Sequence, residues 1–381
     1  MAKQVNSKGY TLITAILRKG VAESIMSKGV LDACRMAVVI NARGTLAREK
    51  WYQRLLPIMH PEQEILELLA PNEGVDSLMS YIIQAGGLQR YGSGTIYCMP
   101  CEKAIISGPE KKAGKEKFPK NLKPVQGLKE DLTAIFCILQ RNKADSLAKS
   151  VIEAGTPGPS IAYGIGRGIR DRLGLIRLAI NPEKELMRVV VDSIESEPIF
   201  DLMIREGRLH IPGEGFIYMV KLQKGLVNMS GVYSRSVHSA SIPEIIKALD
   251  ELKGTASWRQ RVSYDESQGE VKERKYLENL TRLTCVSSRA NGEAVIQAAL
   301  SAGAPGASVS YGVALGEEKR LGNSKIMLNN EKEMIEFTLA PNKVTEVLSA
   351  IQKAEKGLNG DTSLFYTHKV PKAYTYLGPS K

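Results

Sequence analysis

Two pairs of glycines, one of them followed by an arginine, form the pattern in this sequence that is best suited to hold a phosphate group. Gly164 and Gly166 precede Arg167, and Gly213 and Gly215 lie further along the chain. Glycine leaves backbone N–H groups unscreened and permits positive φ, while arginine can bind phosphate through two hydrogen bonds. The same residues would also serve sharp turns beside a solvated arginine, so a structural role is the alternative.

Catalytic chemistry has little support among the other reactive residues. The four histidines lie outside any serine or cysteine nucleophile motif, and no phosphate-binding P-loop occurs. Cys98 and Cys101 are the closely spaced cysteine pair, which would suit half of a zinc site or a redox pair. No second pair of cysteines or histidines completes such a site. We therefore expect a protein that is not an enzyme and holds no metal.

The charge balance indicates an anionic partner. Lys and Arg outnumber Asp and Glu by 52 to 41 in 381 residues, which gives a formal charge of +11. Part of the excess lies in a lysine-rich stretch at residues 104–129, interrupted by prolines and glycine, which we interpret as a solvated linker. The sequence shows no transmembrane segment, no signal peptide and no disulfide framework. We therefore expect a cytoplasmic protein that is not embedded in a membrane.

Internal repeats divide the chain into three related parts. The stretch at 154–164 returns 148 positions later at 302–312, and a third, weaker copy precedes the middle one by 121 positions. The predicted organisation is repeat 1 at 8–103, the linker at 104–129, repeat 2 at 130–224, a second linker at 225–278 and repeat 3 at 279–373. Within the second linker, an N-cap pattern and an apolar stripe predict a helix near 241–253.

The hydrophobic period within repeat 2 predicts its elements. An apolar run at 132–139 indicates a strand, the spacing at 143–154 a helix, and the run at 216–222 a final strand. The complete order is βαββαβ, which is typical of a ferredoxin-like sheet with both helices on one face. Because the bare face of such a sheet needs cover, we predict an α+β protein of three tandem ferredoxin-like domains that pack as an intramolecular pseudo-trimer.

Two stretches of repeat 2 resemble the PII (nitrogen regulatory) signal-transduction proteins. They are Gly164-Ile165-Gly166-Arg167, similar to the start of the family's T-loop, and Gly213-Glu214-Gly215-Phe216-Ile217-Tyr218, similar to its glycine-rich turn before the last strand. The resemblance implies adenine-nucleotide effectors in the clefts between subunits and T-loops that contact a target protein. It extends over repeat 2, most of repeat 3 and, more weakly, repeat 1.

The resemblance also implies a set of nucleotide-binding residues. In sequence order they are Gly92, Gly94, Ser160, Gly164, Gly166, Arg167, Lys184, Gly213, Gly215, Ser308, Gly312 and Lys332.

Departures from the family pattern argue against its usual sensing of MgATP and 2-oxoglutarate. Phe216 stands where a phosphate-binding lysine is usual, and Gln63 replaces the lysine found at Lys184. Repeat 3 has Asp361-Thr362-Ser363 in place of the glycine-rich turn. The three clefts are therefore expected to differ in their ability to bind a ligand.

We predict a regulatory protein that binds an adenine nucleotide, or a similar anionic effector, and acts on a membrane transporter or a metabolic enzyme. One alternative is a nucleic-acid-binding protein that uses the basic linker and arginine loops, which would need exposed aromatic residues on its sheets. Another is a metal-binding scaffold in which Cys98, Cys101 and a histidine converge. The low aromatic content, 6%, argues against nucleic acid as the partner.

Overall fold

The structure is a computed structural model. It describes residues 5–7, 9–26, 28–45, 61–90, 92–106, 125, 127–168, 182–229, 252, 263–264, 271–272, 274–315, 318–321, 324–327, 330–356 and 363–377. Most of the lysine-rich linker, the predicted helix near 241–253 apart from Leu252, and the turn at 361–362 lie outside these residues.

The first third of the chain, residues 5–106, alternates strands with short helices. Its elements are β1 (Val5–Ser7), β2 (Tyr10–Arg18), α1 (Val21–Ile25), α2 (Lys28–Ala33), β3 (Met36–Gly44), β4 (Glu62–Pro71), a 3₁₀ turn (Asn72–Gly74), α3 (Val75–Ala85), β5 (Gly94–Pro100) and β6 (Lys103–Ile106).

The middle third, residues 127–229, confirms the strands predicted at 132–139 and 216–222 and the helix predicted at 143–154. Its elements are β7 (Leu132–Gln140), α4 (Ala144–Glu153), β8 (Ser160–Gly168), β9 (Glu183–Asp192), α5 (Ser193–Glu206), β10 (Gly215–Lys221) and β11 (Lys224–Asn228). A separate short hairpin, β12 (Ser263–Tyr264) with β13 (Val271–Lys272), lies between this third and the next.

The last third, residues 274–377, ends on a long strand. Its elements are β14 (Leu277–Ser288), α6 (Gly292–Ser301), β15 (Gly306–Ala314), β16 (Glu318–Leu321), β17 (Ser324–Met327), β18 (Glu331–Leu339), α7 (Pro341–Glu355) and β19 (Leu364–Thr375). Strands β16 and β17 form a hairpin of their own.

Strands of the three thirds pair with one another as well as within each third. Strand β6 of the first third pairs with β19, β11 of the middle third pairs with β5, and the end of β19 pairs with β10. Strands β3, β8 and β15 also pair with each other, as in the register of Gly166 with Ser308. Each third therefore covers strand edges of the other two, which removes the unpaired backbone groups that edges expose.

The prediction of three tandem ferredoxin-like domains in a pseudo-trimer is wrong for this structure. The pairings join fifteen strands into one antiparallel sheet, and nine of them close into a ring through β19, β10, β7, β9, β8, β3, β15, β18 and β14. The prediction failed because it ended the sheets at the repeat boundaries. Strands β6 and β11 continue past those boundaries into the sheet positions of neighbouring thirds.

The sheet is buried on both faces. In β7, Ile135 and Cys137 contact the helix layer of the middle third, whereas Ala134 and Phe136 face a central core. Helix α4 buries Leu147, and the same stripe continues through Ala148, Val151 and Ile152. Helices α5 and α6 repeat this spacing, so each lays one apolar stripe on its strands. In the described ranges, no helix is long and apolar enough to cross a membrane.

All three thirds contribute to the central core, and charged residues lie at its heart. The core includes Leu12, Met99, Phe136, Val220, Val286 and Met334. Within it lies what we call the central charged cluster, which consists of Glu67, Arg188, Arg282 and Glu336. Glu67, Arg188 and Glu336 are separated by the two repeat offsets, 121 and 148 positions, so they are equivalent residues of the three copies.

The central charged cluster balances two positive with two negative side chains. Arg188 Nη1 donates to Glu67 Oε1 at 2.6 Å, and their side chains are only 6% and 2% exposed. Arg282 Nη1 lies 3.9 Å from Glu336 Oε1. Both guanidinium groups also stack over the ring of Phe136. Burial lowers the pKa of Arg188, but the charges of Glu67, Tyr97 and Glu336 and the hydrogen bond to Glu67 together raise it.

Breaking the buried pair from one side should destabilise the protein strongly. We expect Arg188→Met to lower the free energy of unfolding by about 3–5 kcal/mol, because Glu67 then stays buried without its cation. The double variant Arg188→Met with Glu67→Met should recover most of this loss. As a control, Arg141→Met removes an exposed ion pair with Glu183 and should change the free energy of unfolding little. Urea unfolding measures all three, and a double variant no more stable than Arg188→Met would contradict this role.

A half-buried glutamate at the start of α5 should make stability depend on pH. Burial and the nearby Asp192 raise the pKa of Glu195 from 4.5 to about 7, although Lys129 opposes the shift. The folded state therefore binds this proton more tightly than the unfolded state, so the contribution of Glu195 to stability falls as pH rises from about 4.5 to about 7. Across this pH window, thermal unfolding should show a smaller loss of stability for Glu195→Gln than for the parent protein. Parallel curves of stability against pH for the two proteins would contradict the assignment.

Candidate ligand-binding cavity

A cavity of about 690 Å³ lies between the middle and last thirds. The middle third contributes parts of β7, β8, β9 and β10, and the last third contributes parts of β14, β15, β18 and β19. Five of the residues predicted to bind a nucleotide line this cavity. They are Gly166, Arg167, Lys184, Gly213 and Ser308. The volume is within the range of about 300–1,000 Å³ that small-molecule sites occupy.

Gly166 gives the side chain of Lys184 room to lie across β8. A Cβ atom at position 166 would come within 2.8 Å of Lys184 Cε, so any larger residue would displace the lysine stem. Lys184 follows Pro182, whose carbonyl accepts a hydrogen bond from Gly166 N at 2.7 Å. The glycine predicted as a phosphate contact therefore also positions the lysine.

Gln140, which the sequence analysis missed, connects the lysine to the glycine-rich turn. Lys184 Nζ donates to Gln140 Oε1 at 2.7 Å, and Gln140 Nε2 donates to the carbonyl of Gly213 at 2.6 Å. Gly213 has φ 82°, a left-handed conformation that favours glycine. Neither other repeat has glutamine at the position of Gln140, so the repeats offered no signal for it.

One wall of the cavity is apolar. It consists of Ile138 on β7, Phe216 on β10, and Leu277 and Leu280 on β14. Phe216 pairs in register with Ile138 on one side and with Thr375 on the other. Phe216, which the sequence comparison noted as a departure from the PII pattern, therefore offers a flat apolar surface to the cavity.

The lining of the cavity includes an acidic group from the central charged cluster. Gly166, Ser308 and Glu336 are register partners across β8, β15 and β18, so their side-chain positions share one face of the sheet. Tyr218 donates its hydroxyl to Glu336 Oε2 at 3.0 Å. Burial and the charge of Glu336 raise the pKa of Tyr218, which keeps this hydroxyl protonated. Glu336 therefore adds a carboxylate to the lining of the cavity, and Arg282, 3.9 Å away, balances its charge.

Three further predicted glycines are required by close strand packing. A Cβ atom at Gly94, Gly164 or Gly215 would overlap a backbone carbonyl of a paired strand, and for Gly215 that carbonyl belongs to Ile138. None of the three is among the residues that line the cavity. Their part in ligand binding stays a prediction.

The predicted residues Ser160 and Gly92 lie at the joint between the first and middle thirds. Ser160 donates to Gln63 Oε1 at 2.9 Å, and Gln63 lies against Gly44 as Lys184 lies against Gly166. Gly92 N donates to the carbonyl of Asn228 at the end of β11. Each of these two residues thus makes a hydrogen bond to a residue of the other third across this joint.

Gly312 and Lys332 lie at the third joint, between the last and first thirds. Gly312 pairs with Ile40 on β3 and with Lys332 on β18. The structure therefore distributes the twelve predicted residues over three joints, and gathers five of them at one cavity.

Equivalent glutamates of β4 and β9, Glu64 and Glu185, hold helix starts. Glu185 Oε2 accepts hydrogen bonds from the backbone N–H groups of Lys143 and Ala144 at 3.0 and 2.8 Å. Glu64 similarly accepts from Gly20 N and Ala22 N. These carboxylates satisfy N–H groups that a helix start leaves without intrahelical partners, which is a structural role.

The two cysteines of the close pair do not converge. Cys98 is buried beneath the helices of the first third, whereas Cys101 lies on the central-core side, 3.6 Å from His368 Nε2. Burial raises the pKa of the Cys101 thiol to about 12, so it is an inert thiol. Among the described residues no three His, Cys, Asp or Glu side chains gather as metal ligands would.

Three equivalent tyrosines of the sheet face inwards. Tyr97, Tyr218 and Tyr366, at equivalent positions of the three repeats, are buried in the central core. Within the described ranges, Tyr163 is the exposed large aromatic side chain. The described sheets thus do not present the aromatic platform that the nucleic-acid alternative requires.

Comparisons with known proteins add no assignment. No protein-family model and no curated protein matches the chain. A solved structure of aspartate kinase from Synechocystis aligns over 97% of the chain at 8% sequence identity, with a TM-score of 0.22. The chain spans about half, 52%, of the length of that structure. At this TM-score the likeness carries no argument, and the predicted role in nitrogen regulation has no support.

Two glycines of the site should respond differently to alanine. Gly215→Ala places a methyl group against the backbone carbonyl of Ile138, and we expect a loss of about 1–3 kcal/mol in the free energy of unfolding. Gly166→Ala meets only the flexible stem of Lys184 and should leave stability nearly unchanged. Urea unfolding distinguishes them, and an equal loss for both variants would contradict the described packing.

Proposed function

We propose that the protein binds an anionic ligand of the adenine-nucleotide class in the cavity between its middle and last thirds. The observation that carries this proposal is the convergence of Gly166, Arg167, Lys184, Gly213 and Ser308 on one cavity. The sequence motifs singled out these residues individually, and they come from four separate segments of the chain.

The residues that line the cavity suit the chemical parts of a nucleotide. Lys184, held by Gln140, and Arg167 provide cations beside a glycine-rich turn, an arrangement that favours phosphate oxygens. Phe216 and the leucines of β14 offer an apolar wall for a planar base, and Glu336 can accept a hydrogen bond from an amino or hydroxyl group. The adenine class follows from the resemblance of the glycine motifs to PII proteins.

A regulated target protein is the second part of the proposal. Residues 46–60 and 169–181, in the loops that the resemblance assigns to target contact, lie outside the described residues. A nucleotide bound beside Arg167 would lie at the base of the second of these loops. The ligand is therefore the part of the proposal to test first.

Calorimetric titration with ATP, ADP, AMP and cyclic AMP, each with and without magnesium, tests the proposal. We expect saturable binding of at least one of them, and a Kd raised about tenfold or more in Lys184→Met, because a charge-assisted hydrogen bond to phosphate is lost. Lys332→Met makes the same change at the equivalent position of the last third and should leave the Kd unchanged.

Two results of this titration would contradict the proposal. Failure of all four nucleotides to bind would exclude adenine nucleotides as the ligand. Equal weakening by Lys184→Met and Lys332→Met would show that the ligand does not lie in the cavity beside Lys184.

A further inference from the structure

Arg167 has a competing partner outside the cavity. Its Nη2 atom lies 3.5 Å from Glu293 Oε2, in the first turn of α6. Both side chains are well exposed, at 39% for Arg167 and 59% for Glu293. Tyr311, Glu333 and Arg289 lie close enough to take part in the same electrostatic environment.

The joint between the first and middle thirds contains a tighter version of this arrangement. Arg43 donates to Tyr163 Oη at 2.8 Å and to Glu185 Oε1 at 3.1 Å, and it also pairs with Asp145. Its side chain is only 11% exposed. Asp145, Tyr163 and Glu185 precede Glu293, Tyr311 and Glu333 by the repeat offset of 148 positions, so each acceptor of Arg43 has an equivalent residue near Arg167.

The contrast between the two arginines shows what Arg167 can do that Arg43 cannot. Three acceptors hold Arg43 in a largely buried position, and one of them, Glu185, is only 2% exposed, so releasing Arg43 would remove a donor from a buried carboxylate. Arg167 has a longer and more exposed ion pair, and exposed pairs contribute little to stability. Glu293 also accepts a hydrogen bond from Gln297 Nε2 at 2.9 Å, so it keeps a partner when Arg167 leaves.

We infer that Glu293 is an affinity-determining residue of the cavity, because an anionic ligand must take Arg167 from it. The inference rests on the proposed function. Glu293 does not line the cavity, and its effect on the ligand acts through Arg167. Ligand binding thereby breaks an ion pair that joins the middle third to the last third.

A charge-neutral variant tests this inference by a gain of affinity. Glu293→Gln should bind ATP about twofold to fivefold more tightly than the parent protein, the range that the weakness of exposed ion pairs allows. In the Arg167→Met background, where Lys184 keeps binding measurable, Glu293→Gln should have no effect on the Kd. The double-mutant cycle separates loss of the competitor from a general loss of negative charge.

Asp145→Asn is the matched control. It neutralises the equivalent acid, whose partner is the locked Arg43, and it should leave the Kd for ATP unchanged. An unchanged or weaker affinity in Glu293→Gln, or the same gain with and without Arg167, would overturn the inference while the proposed function stands. Failure of the parent protein to bind ATP or any other of the four nucleotides would overturn both.

Discussion

The burial of two arginines and two glutamates where the three thirds meet is the constraint on which the rest of the structure depends. Glu67, Arg188 and Glu336 come from equivalent positions, but one of the three is basic, and Arg282 completes a neutral set. A buried charge without its partner is costly, so no third can withdraw without exposing or orphaning these groups. The strand pairings between thirds likewise give hydrogen-bond partners to backbone groups that would be unpaired if one third withdrew. The joints between the thirds therefore have defined shapes.

The joints differ because the equivalent residues have diverged. At the first joint Gln63 lies over Gly44 and accepts a hydrogen bond from Ser160, whereas at the second Lys184 lies over Gly166 beside a cavity. At the first joint Arg43 is held by three acceptors, whereas at the second Arg167 has a longer ion pair with Glu293. One chain with three unequal joints can thus keep one for stability and specialise another for a ligand, which a trimer of identical subunits cannot do.

Local elements were predictable from the sequence, whereas their assembly was not. The period of apolar residues was sufficient for β7 and α4, since each depends on its own burial pattern. The continuous sheet depends on β6 and β11, which follow the repeats and pair with other thirds, and no pattern within one repeat indicates such a partner. The motifs and the resemblance single out Gly166, Lys184 and Gly213, which line one cavity, and their part in ligand binding stays a prediction. They missed Gln140 because it is not repeated, and Arg188 because a basic residue in a strand usually faces solvent.

A crystal structure of the protein grown with saturating ATP would test the central claim most directly. We predict a nucleotide between the apolar wall of Phe216 and Leu280 and the side chain of Lys184. A phosphate oxygen should lie within hydrogen-bond distance of Lys184 Nζ, and Arg167 should be turned away from Glu293. A cavity without nucleotide, or a nucleotide bound at the joint of Ser160 and Gln63, would contradict it.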